Sequence, residues 1–166
     1  TTHNRADLLM RAINSVLVQS YENLEVIVVD DGSSDHTSEV MIDLVDHHPE
    51  IVYLRNETPK GACHARNLGI SVANGEFVTG LDDDDEWLPE RISIFVSNYN
   101  PKYSIIGAKD FYIKNECVFT VPRKQTVSLE DMLYENILGN QAFVRKDRIT
   151  EIGGFDERLK AAQDYD

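Results

Sequence analysis

The chain reads as an α/β fold, a mostly parallel central sheet with helices on both faces. Three observations predict it. Helical and extended patterns alternate through the first half, which argues for strand–helix–strand units. The run at 24–29, Leu-Glu-Val-Ile-Val-Val, is almost continuously apolar, as in a strand covered on both faces. That run and a second one, Phe77-Val78-Thr79-Gly80-Leu81, both end directly in carboxylates: Asp30-Asp31 and Asp82-Asp83-Asp84-Asp85. In open α/β sheets, ligands bind beyond the carboxyl ends of the strands. The acidic groups therefore sit where a site belongs.

Each element has its own signal. Asn4, with Asp7 three residues on, predicts a capped first helix. Leu8, Leu9, Ala12, Ile13, Val16 and Leu17 carry it at helical spacing to near Gln19. After the 24–29 strand, Gly32-Ser33-Ser34-Asp35 turns into a helix bearing Val40, Met41, Leu44 and Val45, which Pro49 closes. Residues 51–55 predict a short strand. Residues 62–74 predict a helix with Gly75 as its C′ residue. Residues 76–81 form the next expected strand, and Pro89 opens a helix running to Tyr99. Residues 103–113 and 117–121 read as strands. Ser128 with Asp131 caps a helix to about Asn136, residues 141–144 read as a strand, and Gly153-Gly154 as a turn. The sequence opens on Thr1, with a helix starting almost at once. An α/β unit of this kind begins with a strand, so a first strand is expected upstream of Thr1.

Composition narrows the function. A length of 166 residues fits one domain with a sizeable core. The net charge of −13 excludes nucleic-acid binding through a basic face. A negative protein that binds a phosphate needs a cation between them. Cys63 and Cys117 lack metal-ligand spacing and read most simply as free thiols of a reducing compartment, with one disulfide as the alternative. No apolar run reaches the length of a membrane span, and no signal peptide is recognisable.

Four adjacent aspartates repel, by about 4 kcal/mol per pair at 4 Å and an effective dielectric of 20. Such an oxygen-rich cluster suits Mg²⁺, Mn²⁺ or Ca²⁺. It is not an EF-hand loop, because Trp87 and Ser93 stand where that loop needs Gly and Glu. Neither G-x-x-x-x-G-K nor G-x-G-x-x-G occurs, so glycine-lined nucleotide signatures are excluded. The expectation is a hard metal with a phosphate-bearing ligand.

In chain order stand Thr2-His3-Asn4-Arg5, Val29-Asp30-Asp31-Gly32-Ser33-Ser34-Asp35, Ala65-Arg66-Asn67 and Gly75-Glu76-Phe77. Leu81-Asp82-Asp83-Asp84-Asp85, Gly153-Gly154-Phe155-Asp156 and Gln163-Asp164 follow. This ordered set resembles the family-two glycosyltransferases with the Rossmann-like GT-A fold, over essentially the whole chain. The resemblance implies inverting transfer of a sugar from a nucleotide-diphospho-sugar, most simply a UDP-sugar, with Mn²⁺ or Mg²⁺. It also implies a saccharide or lipid-linked acceptor. The domain is then a nucleotide-binding half at 1–100 and an acceptor-side half at 101–166, with more chain expected beyond Asp166. A cytoplasmic setting is implied, at the inner face of a membrane through regions outside this chain.

Position by position, the resemblance gives Asp31 a hydrogen bond from the uracil N–H, with Thr1 and His3 flanking the base. The family more often has Pro at Thr1 and Tyr at His3. Asp82-x-Asp84 matches the D-x-D motif. Asp84 ligates the metal, Asp82 joins through water, and Asp83 lies near the ribose. Apart from the resemblance, the place of Arg66 beside the sheet edge sets it to pair an aspartate or contact the donor, against the plainer reading of a surface or ion-pair residue. Asp164 matches the general base, with Gln163 where the family usually has Glu. The chemistry needs these types: a carboxylate takes the acceptor hydroxyl's proton, and a cation offsets charge on the leaving diphosphate.

Plainer readings compete. The acidic run is a solvated loop, Asp30 and Asp31 cap the Ser33-Ser34 turn, and His3 is a turn residue. Asp164 is then a helix N-terminal carboxylate, and His36, His47, His48 and His64 are surface residues. Two other functions remain open. A sugar-nucleotide pyrophosphorylase would need a glycine- and basic-rich loop where Asn4-Arg5-Ala6-Asp7 stands. A non-catalytic nucleotide-binding module would bind without turnover.

Overall fold

A computed structural model of the chain describes residues 1–115, 117–120, 124–134 and 142–159. The order is α1 (Ala6–Leu17), β1 (Val26–Asp30), α2 (Thr37–His47), β2 (Ile51–Arg55), α3 (Ala62–Val72), β3 (Phe77–Thr79) and α4 (Arg91–Asn98). Then come β4 (Ile105–Ile106), β5 (Phe111–Lys114), β6 (Cys117–Thr120), α5 (Leu129–Tyr134), β7 (Phe143–Arg145) and α6 (Lys146–Glu151).

The fold is the expected Rossmann-like α/β arrangement. β1 and β2 pair in parallel, Val26 opposite Ile51 through Asp30 opposite Arg55. Thr2 extends this sheet as a parallel bridge to Asp30, its N–H on the Val29 carbonyl (3.0 Å) and its carbonyl on the Asp31 N–H (2.9 Å). β7 runs antiparallel between β3 and β4, and β5 and β6 form a separate antiparallel hairpin. The expected 103–113 strand is thus two strands, β4 and β5, in different sheets.

Both faces of β1 are covered. On one, Leu9 and Ile13 of α1, Val28, Met41 of α2 and Ile51 form the core cluster. On the other, α3 lies close at Gly69, where a Cβ would stand 3.5 Å from Val29 Cγ2 and 3.7 Å from Ile27 Cγ2. Phe143 ties the second sheet to α4. It stacks on Phe77 at 4.6 Å and tilts against Phe95 at 5.2 Å.

Several expected helix ends differ. Asn4 does not cap α1. Its φ is +56°, and its Oδ1 accepts the N–H groups of Ser34 (2.7 Å) and Asp35 (3.2 Å). The α1 start is satisfied from across the sheet edge, by Ala6 N–H on Asp35 Oδ2 at 3.3 Å. Gly75 is not a left-handed C′ residue. Glu25 Oε1 takes its N–H at 2.9 Å and that of Asn74 at 2.6 Å, so the chain leaves α3 extended. Pro89 precedes α4 by two residues instead of opening it. The Ser128–Asp131 box does form, with reciprocal bonds of 2.9 and 3.2 Å. Gly153 and Gly154 have φ of +92° and +76°, as a glycine turn requires. Cys63 is buried, its Sγ 3.8 Å from the Leu159 carbonyl oxygen, and Cys117 is exposed.

Gly32 has φ +74°, and a Cβ there would lie 2.8 Å from Pro59 N and 2.9 Å from the Thr58 carbonyl carbon. Gly32→Ala should therefore lower stability by at least about 1–2 kcal/mol, the left-handed cost alone. Urea unfolding checks this; an unchanged midpoint would contradict the close packing of the two loops.

Candidate active site

The site is built at the carboxyl ends of β1, β2 and β3. Asp30 ends β1 fully buried. Its Oδ1 accepts Ser33 N–H (2.8 Å), and its Oδ2 accepts Tyr53 O–H (2.8 Å) and faces Arg55 Nε (3.3 Å). Burial, with the bond and charge of Asp30, pushes the Tyr53 phenol above its usual range. Asp30 is thus the buried brace of the turn.

Asp31 is 7% exposed and joins the loop after β1 to the loop after β2. Its Oδ1 accepts Asn56 Nδ2 (2.7 Å) and Lys60 N–H (2.9 Å); its Oδ2 accepts Lys60 N–H (3.0 Å) and Gly61 N–H (2.8 Å). Burial alone would raise its pKa. The bonds from Lys60, Asn56 and Gly61 outweigh that and hold it below the usual value. Sequence reasoning missed these partners; the available signal was the Pro59-Lys60-Gly61 turn directly after a strand. His3 lies beside Asp31, its Nδ1 2.8 Å from the Asp31 carbonyl oxygen.

The acidic run turns on itself, with Asp85 N–H on the Asp82 carbonyl at 3.1 Å. One carboxylate oxygen each from Asp82, Asp84 and Asp85 lies within 4.8 Å of the others. Octahedral Mg²⁺ at 2.0–2.1 Å needs neighbouring oxygens about 3 Å apart and opposite ones about 4 Å apart. The three are hard oxygen donors of the type such an ion takes, and from a spread of up to 4.8 Å they would have to draw closer to hold one. Asp85 was not foreseen, although an i to i+3 turn in a four-aspartate run brings its ends together. Asp83 stands outside this trio. It is 7% exposed, and its Oδ1 accepts Arg5 Nη1 at 3.0 Å. The same nitrogen reaches Asp84 Oδ2 at 3.1 Å. Arg66 pairs Asp82 through Nη2 at 3.3 Å, with its guanidinium carbon 5.5 Å from the Phe155 ring centre. Arg5 was quoted in sequence but given no role.

A cleft of about 1570 Å³ runs inward from this edge between β1 and β3, under α1 and α3. Thr1, Arg66, Asp82 and Asp83 line it together. The structure thus gathers Thr1, His3, Asp31, Arg66 and Asp82 to Asp84 at one edge. Gln163, Asp164 and Asp166 lie outside the described residues. Of the histidines read as surface residues, His64 is held, with Nδ1 3.1 Å from Glu157 Oε2.

Residues 1–156 match the family model described as Glycosyl transferase family 2. The chain is 40% identical over 173 residues to WcaA of Escherichia coli K12, whose name assigns it to colanic acid biosynthesis as a glycosyl transferase. That match covers 99% of this chain and 61% of WcaA. It is 30% identical over 118 residues to WfaP of E. coli, a UDP-Glc:α-D-GlcNAc-diphosphoundecaprenol β-1,3-glucosyltransferase (71% of this chain, 46% of WfaP). The crystal structure of S. aureus TarS 1–349 with UDP superposes with a TM-score of 0.81 at 25% identity, over 99% of this chain and 51% of that one. The chain spans between 46% and 61% of the length of these proteins.

Asp31→Asn should cost about 1–3 kcal/mol, because an amide NH₂ would face the Lys60 and Gly61 N–H groups and leave a donor unpaired. The pH dependence follows from the depressed pKa. The carboxylate's contribution is complete above its ordinary value of 3.8 and is lost as pH falls through the lower folded value. Urea unfolding across the acid range should show a shallower slope there for the variant. Equal slopes would remove Asp31 from this role.

Proposed function

The chain belongs to glycosyl transferase family 2, and on that premise we propose that it moves a sugar from a UDP-sugar to a saccharide or lipid-linked acceptor by a single inverting displacement. The observation that carries this reading is the trio Asp82, Asp84 and Asp85, within 4.8 Å of one another, with Arg66 paired to Asp82. WfaP is named for a UDP-Glc donor and an undecaprenol-linked acceptor, and TarS was solved with UDP. These support the donor and acceptor classes. The domain assignment stands with it: residues 1–100 bind the nucleotide, and residues 101–166 face the acceptor.

The residues divide the work. Asp31 reads the base; one N–H, Lys60's, is shared between its two oxygens and can release one of them. Thr1 and His3 flank the base, and Asp83 lies toward the ribose. Asp82, Asp84 and Asp85 would hold Mn²⁺ or Mg²⁺, which would offset charge growing on the leaving diphosphate. Asp164 accepts the acceptor hydroxyl's proton. Among the described residues no helix is long and apolar enough to cross a membrane. We place the reaction in the cytoplasm at the inner membrane face, where an undecaprenol-linked acceptor would lie.

UDP with Mn²⁺ at 100 times its dissociation constant should add about 2.7 kcal/mol of stability. Thermal melts with UDP, with and without metal, check this. Asp84→Ala should abolish the metal-dependent part while leaving the apo melt unchanged or higher, since it relieves like-charge crowding. A metal-dependent shift that survives Asp84→Ala would move the site.

Asp164→Asn should keep donor binding in the intact protein and lose transfer by about 10²–10⁴-fold. The acid limb of the wild-type rate profile should vanish from the residual activity. Transfer within a few-fold of wild type would make Asp164 a structural carboxylate. UDP binding by an intact wild type that transfers sugar from no donor of a UDP-, GDP- and dTDP-sugar panel would favour a non-catalytic module.

A further inference from the structure

We propose that Asn67 is a positioning residue that locks the turn at 153–157 onto α3, and so holds the acceptor-side chain in register with the acidic cluster. The inference rests on the transferase reading. Phe155 N–H donates to Asn67 Oδ1 at 2.8 Å, and Asn67 Nδ2 donates to the Phe155 carbonyl at 2.8 Å. The carboxamide thus pairs with both backbone groups of this residue as a neighbouring strand would. A third bond runs from Nδ2 to Glu157 Oε1 at 3.0 Å, while His64, one helical turn back, holds the other Glu157 oxygen. Gly154 permits the approach: its φ is +76°, and a Cβ there would lie 2.4 Å from Asn67 Oδ1.

The neighbouring residue on α3 completes the link. Arg66 pairs with Asp82 and lies over the ring of the same Phe155 whose backbone Asn67 holds. α3 itself is seated on β1 at Gly69. One rigid helix therefore grips the acidic cluster through Arg66 and the 153–157 turn through Asn67. Phe155 precedes Asp164 by nine residues. A turn held this way sets where the following chain begins; released, it would misplace groups on that side while leaving the nucleotide side intact. The clamp is peripheral, with Glu157 exposed and Phe155 half-buried, so the core does not depend on it.

The test uses the full-length protein, with transfer kinetics, UDP–Mn²⁺ calorimetry and amide exchange at Phe155. Asn67→Ala should lower kcat by about 10–100-fold, the scale of a small misplacement, with donor KM and UDP affinity unchanged. Phe155 should lose exchange protection while the melt stays cooperative. Gly154→Ala should reproduce this pattern by pushing the carboxamide away. Asn67→Asp sets two carboxylates together; adding Glu157→Gln supplies a donor and should recover part of kcat. Unchanged kcat in Asn67→Ala, a donor KM rising in step with the loss, or a loss matched by unfolded protein would each overturn the proposal while leaving the transferase reading standing. A wild type that transfers no sugar would overturn both.

Discussion

Crowding of negative charge at the end of β3 is the constraint around which the rest is arranged. Four consecutive carboxylates cannot share a sheet edge without countercharge, because each close pair costs about 4 kcal/mol at an effective dielectric of 20. Two arginines supply it from opposite sides. Arg5, directly before α1, holds Asp83 and Asp84. Arg66, from α3, holds Asp82. The same repulsion that marks a metal site therefore fixes where two helices meet the edge. Asp82, Asp84 and Asp85 still leave one carboxylate oxygen each within 4.8 Å of the others.

The loops after β1 and β2 obey a related logic with mostly neutral donors, Arg55 beside Asp30 being the charged one. Asp30, Asp31 and Asp35 each spend their carboxylates on N–H and O–H groups of other segments. Asp31 ties its loop to residues 56–61, Asp30 ties Ser33 to Tyr53, and Asp35 satisfies the start of α1 and the Thr37 N–H of α2. A strand end leaves backbone donors without ladder partners, and a short acidic side chain is the local remedy. Depressed pKa values at Asp31 and Asp35 are the electrostatic trace of that work.

Features set by local chemistry were legible in the sequence. β2 was found at its observed bounds, the glycine turn at 153–154 through its conformational need, and the acidic strand ends through adjacency to apolar runs. Misses share one cause, a partner far along the chain. Asn4 looked like a cap because nothing local reveals that Asp35, 29 positions beyond Ala6, reaches Ala6 N–H. Gly75 looked like a helix terminator because Glu25, which takes its N–H, lies 50 residues earlier. Arg5 and Asn67 carried no periodicity or spacing signal, since their meaning lies in what the fold sets opposite them. Asp85 is the exception: its turn was readable, but matching to a two-residue motif stopped the count at Asp84.

A site whose charged groups already have partners gains ligand by exchange, not by addition. Two of its donor groups serve two acceptors each: a single Arg5 nitrogen, with two N–H groups, holds Asp83 and Asp84, and the one Lys60 N–H is bifurcated between both Asp31 oxygens. A group shared in this way can surrender one acceptor and keep the other, so these are the contacts that open at least cost. They lie where the proposed cation and base would enter. Affinity is then the difference between new bonds and those released, which keeps net values modest even for charged groups. The overall charge of −13 adds a direction. It draws cations toward the cluster and repels a diphosphate. On the proposed reading, metal and nucleotide would strengthen each other's binding, and by linkage to the same degree. On that reading the acidic surface would not oppose a phosphate ligand once a cation shared the site; it would make the cation a condition of binding.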